Sequence, residues 1–295
     1  MTELCVIFNP AASSHRARVR LRRLQSMAQE AEFLPTYAAG HAVELARNAA
    51  LAGRRTVVAA GGDGTINEVL NGLMSAPAET RPRLGVLPLG TANVYARELG
   101  LPLDLNAAWR AIVAGVERRV DVGVARAADG SPHYFAQLAG AGFDALAVAD
   151  VESHLKQRIS GLAYVVSGFR VVARGLPQVI VRADDRRVEG GFVFIGNGRF
   201  YGGPFPLFPD ARLDDGLLDV CVFRGSTIRD ALRYIPLVLC RRHTGCPDVC
   251  YCQARQVRIE AASPVPTEVD GELWKNSPVE FSVEAGTLRV LVPAG

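Results

Sequence analysis

Apolar and polar positions along this chain follow two different periods. Over the first hundred residues, short apolar runs are each followed by a stripe at helical spacing, four times over. Residues 4–8 read as a strand and the Arg-rich stretch from about 16 to 30 as a helix; residues 33–37 and 42–52 make a second pair. The third strand, 56–60, is an uncharged run of β-branched and small residues, as suits a strand covered on both faces. Behind it, Ile66, Val69, Leu70 and Leu73 fall on one helical stripe. Residues 84–88 and a helix from about Val94 complete the fourth pair. Such alternation predicts a parallel sheet with helices on both faces.

Beyond Asp104 the period shortens. Val120, Val122 and Val124 alternate with Asp121 and Gly123, the pattern of a half-buried strand. Further strands are predicted at 134–139, 179–183, 188–195, 217–223, 257–261, 279–283 and 288–292, with Asp184-Asp185 as a turn. This half reads as a β-sandwich interrupted by helical stretches at 145–158, 161–174 and 227–241. In the last, Ile228, Ala231, Leu232, Ile235 and Leu239 form an apolar stripe, read as core packing or as the border of a greasy substrate cleft. Pro236 weakens that helix near its end.

At 295 residues the chain exceeds the size at which a single core usually stops growing. Two domains are expected: 1–122, completed by 286–295, and 123–285. Apolar residues at 49% and charged residues at 21% describe an ordinary soluble globular protein. The net charge of +3 is too mild to argue for nucleic acid. Arginines cluster at Arg16, Arg18, Arg20, Arg22 and Arg23, and again at Arg241 and Arg242 beside His243. Such groups suit ATP or an anionic membrane surface, or are solvated helix faces. The chain enters its first strand without a leader, and no apolar run approaches the roughly 18–20 residues that span a bilayer. A cytoplasmic protein, attached peripherally at the inner face of the membrane, is expected. Cys5 and Cys221 read as reduced core thiols, and Cys246, Cys250 and Cys252 lack the second pair of a metal site. Exposed sandwich edges are able to pair, so a homodimer is a further expectation.

Parallel sheets gather function in the loops at the carboxyl ends of their strands. Here these loops are Asn9-Pro10-Ala11-Ala12-Ser13-Ser14, residues 36–41, Gly61-Gly62-Asp63-Gly64-Thr65 and Gly90-Thr91-Ala92-Asn93. Thr65 and Glu68 have capping-box spacing, which sets the third helix to start at the end of the glycines. The first turn of such a helix offers free N–H groups and a positive dipole end to phosphate, and Asp63 adds a carboxylate suited to Mg²⁺. A strand–Gly–helix junction is also an ordinary tight turn, and capping alone would account for Glu68. In the β-rich half, Asp210, Asp214, Asp215 and Asp219 surround Gly216, either as a site for a hard cation or as a solvated turn. In Val269-Asp270-Gly271-Glu272, Asp-Gly is a turn signal, and Glu272 is a candidate to take a proton from a hydroxyl. No G-x-S-x-G, H-E-x-x-H or Walker motif is present, and the five histidines are scattered.

Several segments then add to one pattern: Asn9-Pro10, Thr36 ahead of Gly40-His41-Ala42, GGDGTINEVLNGL at 61–73 and LPLGTANVYARELGLP at 87–102. GNGRFYGGPFPLFPDARLDDGLLDV at 196–220 and VDGE at 269–272 continue it. In this order, over nearly the whole chain, they resemble the diacylglycerol kinase catalytic-domain family of lipid kinases, to which sphingosine and ceramide kinases are more distantly related. GGDGT by itself is shared with NAD kinases and phosphofructokinases. The resemblance implies a Rossmann-like parallel α/β nucleotide-binding domain followed by a β-sandwich domain, as in NAD kinases, with ATP in the cleft between them. It implies ATP contacts from Asn9, Thr36, Gly61, Gly62, Asp63, Gly64, Thr65, Asn67, Glu68 and Thr91, with Mg²⁺ near Asp63. It makes Glu272 the general base, and Asp215 with the main chains of Arg212 and Leu217 a structural Mg²⁺ site; Asp121 joins the acidic network. The implied reaction moves the γ-phosphate of MgATP to a membrane lipid hydroxyl, diacylglycerol to phosphatidic acid. A sphingosine- or ceramide-type acceptor, an NAD kinase and a non-catalytic lipid- or nucleotide-binding regulator are the rivals. The chain departs from the family pattern at Val94, where many members carry Asp, and at Ser13-Ser14, where the first loop often has glycine.

Overall fold

A computed structural model describes residues 3–10, 15–143, 145–146 and 176–294 of the chain. They divide into two compact units. One takes Met1–Val122, Gly202–Pro204 and Ala285–Gly295, and the other takes Gly123–Tyr201 and Phe205–Glu284. Strands β5 (Val116–Arg126) and β18 (Val279–Val292) each run from one unit into the other.

The first unit is a parallel sheet. Strands β1 (Leu4–Phe8), β2 (Glu32–Pro35), β3 (Thr56–Gly61) and β4 (Arg83–Pro88) lie in the order β2-β1-β3-β4, and the end of β18 pairs with β4 through Val290 and Leu84. The helices are α1 (His15–Met27), α2 (His41–Leu51), α3 (Asp63–Met74), α4 (Val94–Glu98) and α5 (Leu105–Ala114). Leu24 of α1 and Leu105, Ala108 and Ile112 of α5 cover one sheet face, against Val6, Phe8, Val58, Ala60 and Leu87. Helices α2 and α3 pack on each other where Gly72 removes a side chain. A Cβ there would lie 2.3 Å from the Val43 carbonyl oxygen. Because β2 lies outside β1 while β3 lies inside it, the loops after β1 and β3 leave the sheet in opposite directions. That is the topological switch point where open α/β sheets bind ligands.

The second unit is a sandwich of antiparallel sheets. One sheet runs β14 (Val249–Ala254), β13 (Leu218–Phe223), β10 (Phe192–Gly196), β7 (Leu138–Gly142), β16 (Pro266–Val269) and β17 (Glu272–Asn276). The other joins the start of β18 to β15 (Gln256–Ala261), β8 (Val179–Ala183) and β9 (Arg186–Gly190), and the end of β5 pairs with β6 (Pro132–Phe135). Val181, Val257, Ile259 and Phe281 meet Ala139, Ala141, Val193, Ile195, Val220 and Val222 between the layers. The outer face of the first sheet is also buried: Phe192, Phe194 and Phe223 pack against Ala231 and Tyr234 of α6 (Ile228–Leu239). A two-stranded ribbon, β11 (Phe200–Tyr201) with β12 (Phe205–Pro206), lies nearby, and β12 packs on α6.

The architecture is the expected one, and several details differ. Helix α5 was not expected; Asp104 caps it, accepting the Ala107 N–H at 2.9 Å. The strand expected at 134–139 breaks into β6 and β7, and that at 188–195 breaks at Gly191 into β9 and β10. Those expected at 279–283 and 288–292 are one strand, and β14, β16 and β17 were missed. The central stretch of β5 is buried on both faces, Asp121 included, where a half-buried strand was expected. Two corrections matter for function. His243 is fully buried with its Nε2 against the Leu207 carbonyl, and burial pushes its pKa down, so it adds no charge to Arg241 and Arg242. The stripe of α6, apart from Ala231, faces outward and is not core. The side chains of Arg16, Arg18 and Arg20, the pair Ser13-Ser14 and the helices expected at 145–158 and 161–174 lie outside the described residues, apart from 145–146.

Candidate phosphate-binding and acidic sites

At the end of β3 the chain turns directly into α3, with Gly62 as N-cap in extended conformation and Asp63 already in the first turn. The helix thus starts two residues before Thr65, and no side chain caps it, so the predicted capping box of Thr65 and Glu68 does not form. Glu68 instead reaches α2, where its Oε2 accepts the Ala42 N–H at 3.0 Å. The first turn, whose N-cap Gly62 has no side chain to offer, presents the positive end of the helix dipole, which attracts phosphate. Thr65 lies over Gly61, where a Cβ would come within 2.5 Å of its side chain.

The fourth loop is locked onto this turn. Leu89 donates its N–H to the Gly61 carbonyl at 2.9 Å, and a Cβ on Gly90 would lie only 2.5 Å from the Gly62 Cα. Asn93, in left-handed conformation, closes the loop on itself, accepting the Gly90 N–H and donating to the Gly90 carbonyl, both at 2.9 Å. Asp63 Oδ1 accepts the Tyr95 N–H at 3.2 Å. Gly61, Gly62, Asp63, Gly64, Thr65 and the Gly90–Asn93 turn therefore form one surface. Thr91 is exposed on it, and Val94 is buried at the start of α4. Thr36 is buried with its N–H on the Phe8 carbonyl at 2.9 Å, tying the second loop to the first, where Asn9 is exposed. Asn67 is turned into the helix, its Oδ1 and carbonyl both accepting from Asn71 Nδ2 at 3.0 Å. Asp121 is buried and accepts the Gly286 N–H at 2.6 Å, joining β5 to β18.

In the second unit, Glu272 is exposed at the first position of β17, paired with Val269 across the turn. That turn is held by its neighbour. Asp270 accepts N–H groups from Ala136 at 2.8 Å and from Gln137 and Leu138 at 3.0 Å, bridging the break between β6 and β7. Glu268 Oε2 accepts the Gly271 N–H at 2.7 Å.

The acidic stretch is organised around β13. Asp215 Oδ1 accepts the Leu217 N–H at 3.0 Å, and exposed Arg212 pairs with Asp214 at 3.3 Å. Asp219 is buried and accepts from the Tyr251 hydroxyl, while Gln253 donates to its Oδ2 at 3.3 Å and to Asp215 Oδ2 at 3.5 Å. Burial pushes the Asp219 pKa up to about 6, and Asp215 and Asp210 add to the rise. Among the described residues no three His, Cys, Asp or Glu side chains converge as a ligand set, and Cys250 and Cys252 lie in β14. The Asp215 and Asp219 carboxylates, joined through the Gln253 amide, offer hard oxygen donors of the kind Mg²⁺ takes, an ion that keeps several waters.

Three parts of these sites escaped the sequence reading. Asn93 and the Tyr95 N–H gave only a loop-to-helix signal, Asp270 gave only its Asp-Gly turn, and Tyr251 and Gln253 sit on a strand that was not predicted.

Comparison with known proteins matches two successive regions of the chain. Residues 3–125 match the diacylglycerol kinase catalytic domain, and residues 137–292 match the YegS C-terminal NAD kinase beta sandwich-like domain. A diacylglycerol kinase of Bacillus subtilis (strain 168) is 32% identical, over 98% of this chain and 95% of its own length. A protein of Pseudomonas aeruginosa named "Probable lipid kinase YegS-like" is 34% identical, over 99% of this chain and 94% of its own. A crystal structure from Bacillus anthracis str. Sterne, with a provisional diacylglycerol kinase assignment, superposes with a TM-score of 0.80 at 25% identity, covering 99% and 97% of the two chains.

Proposed function

Starting from a chain that belongs to the diacylglycerol kinase family of lipid kinases, we propose that it transfers the γ-phosphate of ATP to the hydroxyl of diacylglycerol, giving phosphatidic acid. The observation that carries this reading is the acid-bearing glycine turn at the start of α3, uncapped and clamped to the Gly90–Asn93 turn through Asp63 and Gly62.

In this reading the N–H groups of Gly62, Asp63, Gly64 and Thr65 bind the ATP phosphates, with Thr36, Asn9 and Thr91 at the rim. Asn67 and Glu68 support the turn from behind, one within α3 and the other through α2. Asp63, with Asp121 in its acidic network, would hold the catalytic Mg²⁺, and Asp215 with the main-chain oxygens of Arg212 and Leu217 would separately hold a structural one. Mg²⁺ supplies neutralisation of the charge on the transferring phosphoryl group. Glu272, exposed on a turn fixed by Asp270, takes the proton of the attacking hydroxyl as general base. Phosphoryl transfer needs little more than positioning and charge stabilisation, which suits a site built from rigid turns. A hydrophobic acceptor implies peripheral contact with a membrane, since the substrate's hydroxyl is presented at a lipid surface.

The test is transfer of label from γ-labelled ATP to lipids in mixed micelles, with diacylglycerol, monoacylglycerol, ceramide, a sphingoid base and phosphatidylglycerol in parallel, and NAD as a water-soluble control. Mg²⁺-dependent phosphatidic acid as the main product is expected. Label on NAD alone, or on no acceptor despite ATP binding, would end the proposal.

A further inference from the structure

Helix α6 carries two apolar arcs. Ala231 and Tyr234 face the sandwich, whereas Ile228, Leu232, Ile235 and Leu239 recur at i, i+4, i+7 and i+11 and are 36%, 53%, 47% and 58% exposed. Single exposed aliphatics are common, but four on one helical stripe form a continuous apolar edge, which marks an interaction surface. Phe205, on the β12 strand packed against α6, is also exposed at 44%.

The charge beside this edge is one-sided. Between Arg224 and Arg242 stand five arginines, all exposed, against a single carboxylate, Asp230. That carboxylate is engaged in the capping box with Thr227, and Arg233 pairs with Asp248 just beyond the stretch. An apolar edge beside Arg229 and Arg233, with Arg224, Arg241 and Arg242 just beyond the two helix ends, suits a helix that lies in the plane of a lipid surface, its aliphatics among the acyl chains and the cations at anionic headgroups. Among the described residues no helix is long and apolar enough to cross a membrane, so contact through this helix would be with the surface.

We propose that α6, with Phe205 beside it, docks the protein on an anionic lipid surface. A second copy of the chain is the other possible occupant, and charge argues against it. A two-fold contact through the same helix sets arginine against arginine, whereas an anionic bilayer neutralises Arg224, Arg229, Arg241 and Arg242, the four not held by Asp248. The inference rests on the lipid-kinase reading only for why a membrane should be met at all.

The test is flotation of the full chain with phosphatidylcholine vesicles, with and without phosphatidylglycerol. The wild type should float with the anionic vesicles and lose them at high salt. Arg241→Glu with Arg242→Glu should lower partitioning by roughly tenfold or more on anionic vesicles only, taking about 1 kcal/mol per cation at the surface. Leu232→Glu with Ile235→Glu should abolish flotation with the anionic vesicles. Both pairs sit at exposed positions, and thermal melting should match wild type. Turnover of a water-soluble short-chain diacylglycerol should be unchanged, while turnover of long-chain diacylglycerol in vesicles falls with binding. Vesicle binding unaffected by either pair would overturn the proposal. So would a dimer that Leu232→Glu dissolves while wild type ignores vesicles. Loss of flotation in the variants of a protein that phosphorylates no lipid would uphold docking and remove the kinase reading instead.

Discussion

Asp63 Oδ1 accepts the main-chain N–H of Tyr95 at 3.2 Å, so the acid of the first glycine turn also fixes where the second one ends and α4 begins. This gives Asp63 two separable properties, a hydrogen-bond acceptor and a negative charge. Asp63→Asn keeps an acceptor oxygen and removes the charge; it should leave the melting temperature near wild type and lower kcat by about a hundredfold or more, the scale of an electrostatic contact in transfer chemistry. Asp63→Ala removes both and should in addition cost about 1–2 kcal/mol of stability in denaturant unfolding. Equal activity in Asp63→Asn and wild type would leave the residue with only its tie to Tyr95.

Gly90 meets Gly62 backbone to backbone, with no room for a side chain between them. Gly90→Ala should therefore push the two turns apart, costing about 1–3 kcal/mol as an overpacked contact does. The KM for ATP should rise more than kcat falls, since the damaged part is the phosphate cradle and not the base. Unchanged KM in steady-state assays would show that the turns do not bind ATP as one surface.

Asp270 and Glu272 are two residues apart and should behave in opposite ways. Asp270 accepts three N–H groups from residues 136–138, all buried, and Asp270→Ala strands them. A loss of about 3 kcal/mol or more is expected in chemical denaturation. Glu272 is exposed, so Glu272→Gln should not change stability, while kcat falls by about 10²–10⁴ as for a lost general base, with ATP affinity retained. Near-full turnover in Glu272→Gln would take the base role from it.

Asp219 predicts a pH effect with a definite sign. Its pKa stands at about 6 against an ordinary 3.8, because burial disfavours the charged form. The folded state thus holds a proton that the unfolded chain has released, and stability falls as pH rises from about 4 to about 6, then levels off. The difference corresponds to on the order of 3 kcal/mol at neutral pH. Asp219→Asn, still able to accept from Tyr251, should be the more stable protein at pH 7, with the advantage shrinking as pH falls from about 6 to about 4. Mg²⁺ should stabilise wild type more than Asp219→Asn in the same melts if the cation sits among these carboxylates. A pH-independent difference between the two proteins would mean the carboxyl is ionised throughout.

The parallel sheet, the sandwich and the positions of the glycine turns were legible because each is written in local spacing. Period-two and period-3.6 patterns, a glycine at a strand end and an acid beside it are properties of a few neighbouring residues. Helix α5 is written locally too, in the Asp104 cap and the Leu105–Ala108–Ile112 spacing. The break at Ala136-Gln137 is not, because its cause, Asp270, lies 134 residues from Ala136.

What the sequence determined on its own is therefore the order of elements and the chemistry each loop can offer, through steric and hydrophobic preferences that act over one turn or one strand. What only the tertiary structure decided is who meets whom. Glu68 has the spacing to cap its own helix and serves α2 instead, and Asp63 finds its partner 32 residues away. An amphipathic helix with two apolar arcs cannot say which will be buried. In α6 the ring of Tyr234, packed on Phe192 and Phe223, settled that choice and left the Leu232 edge outside.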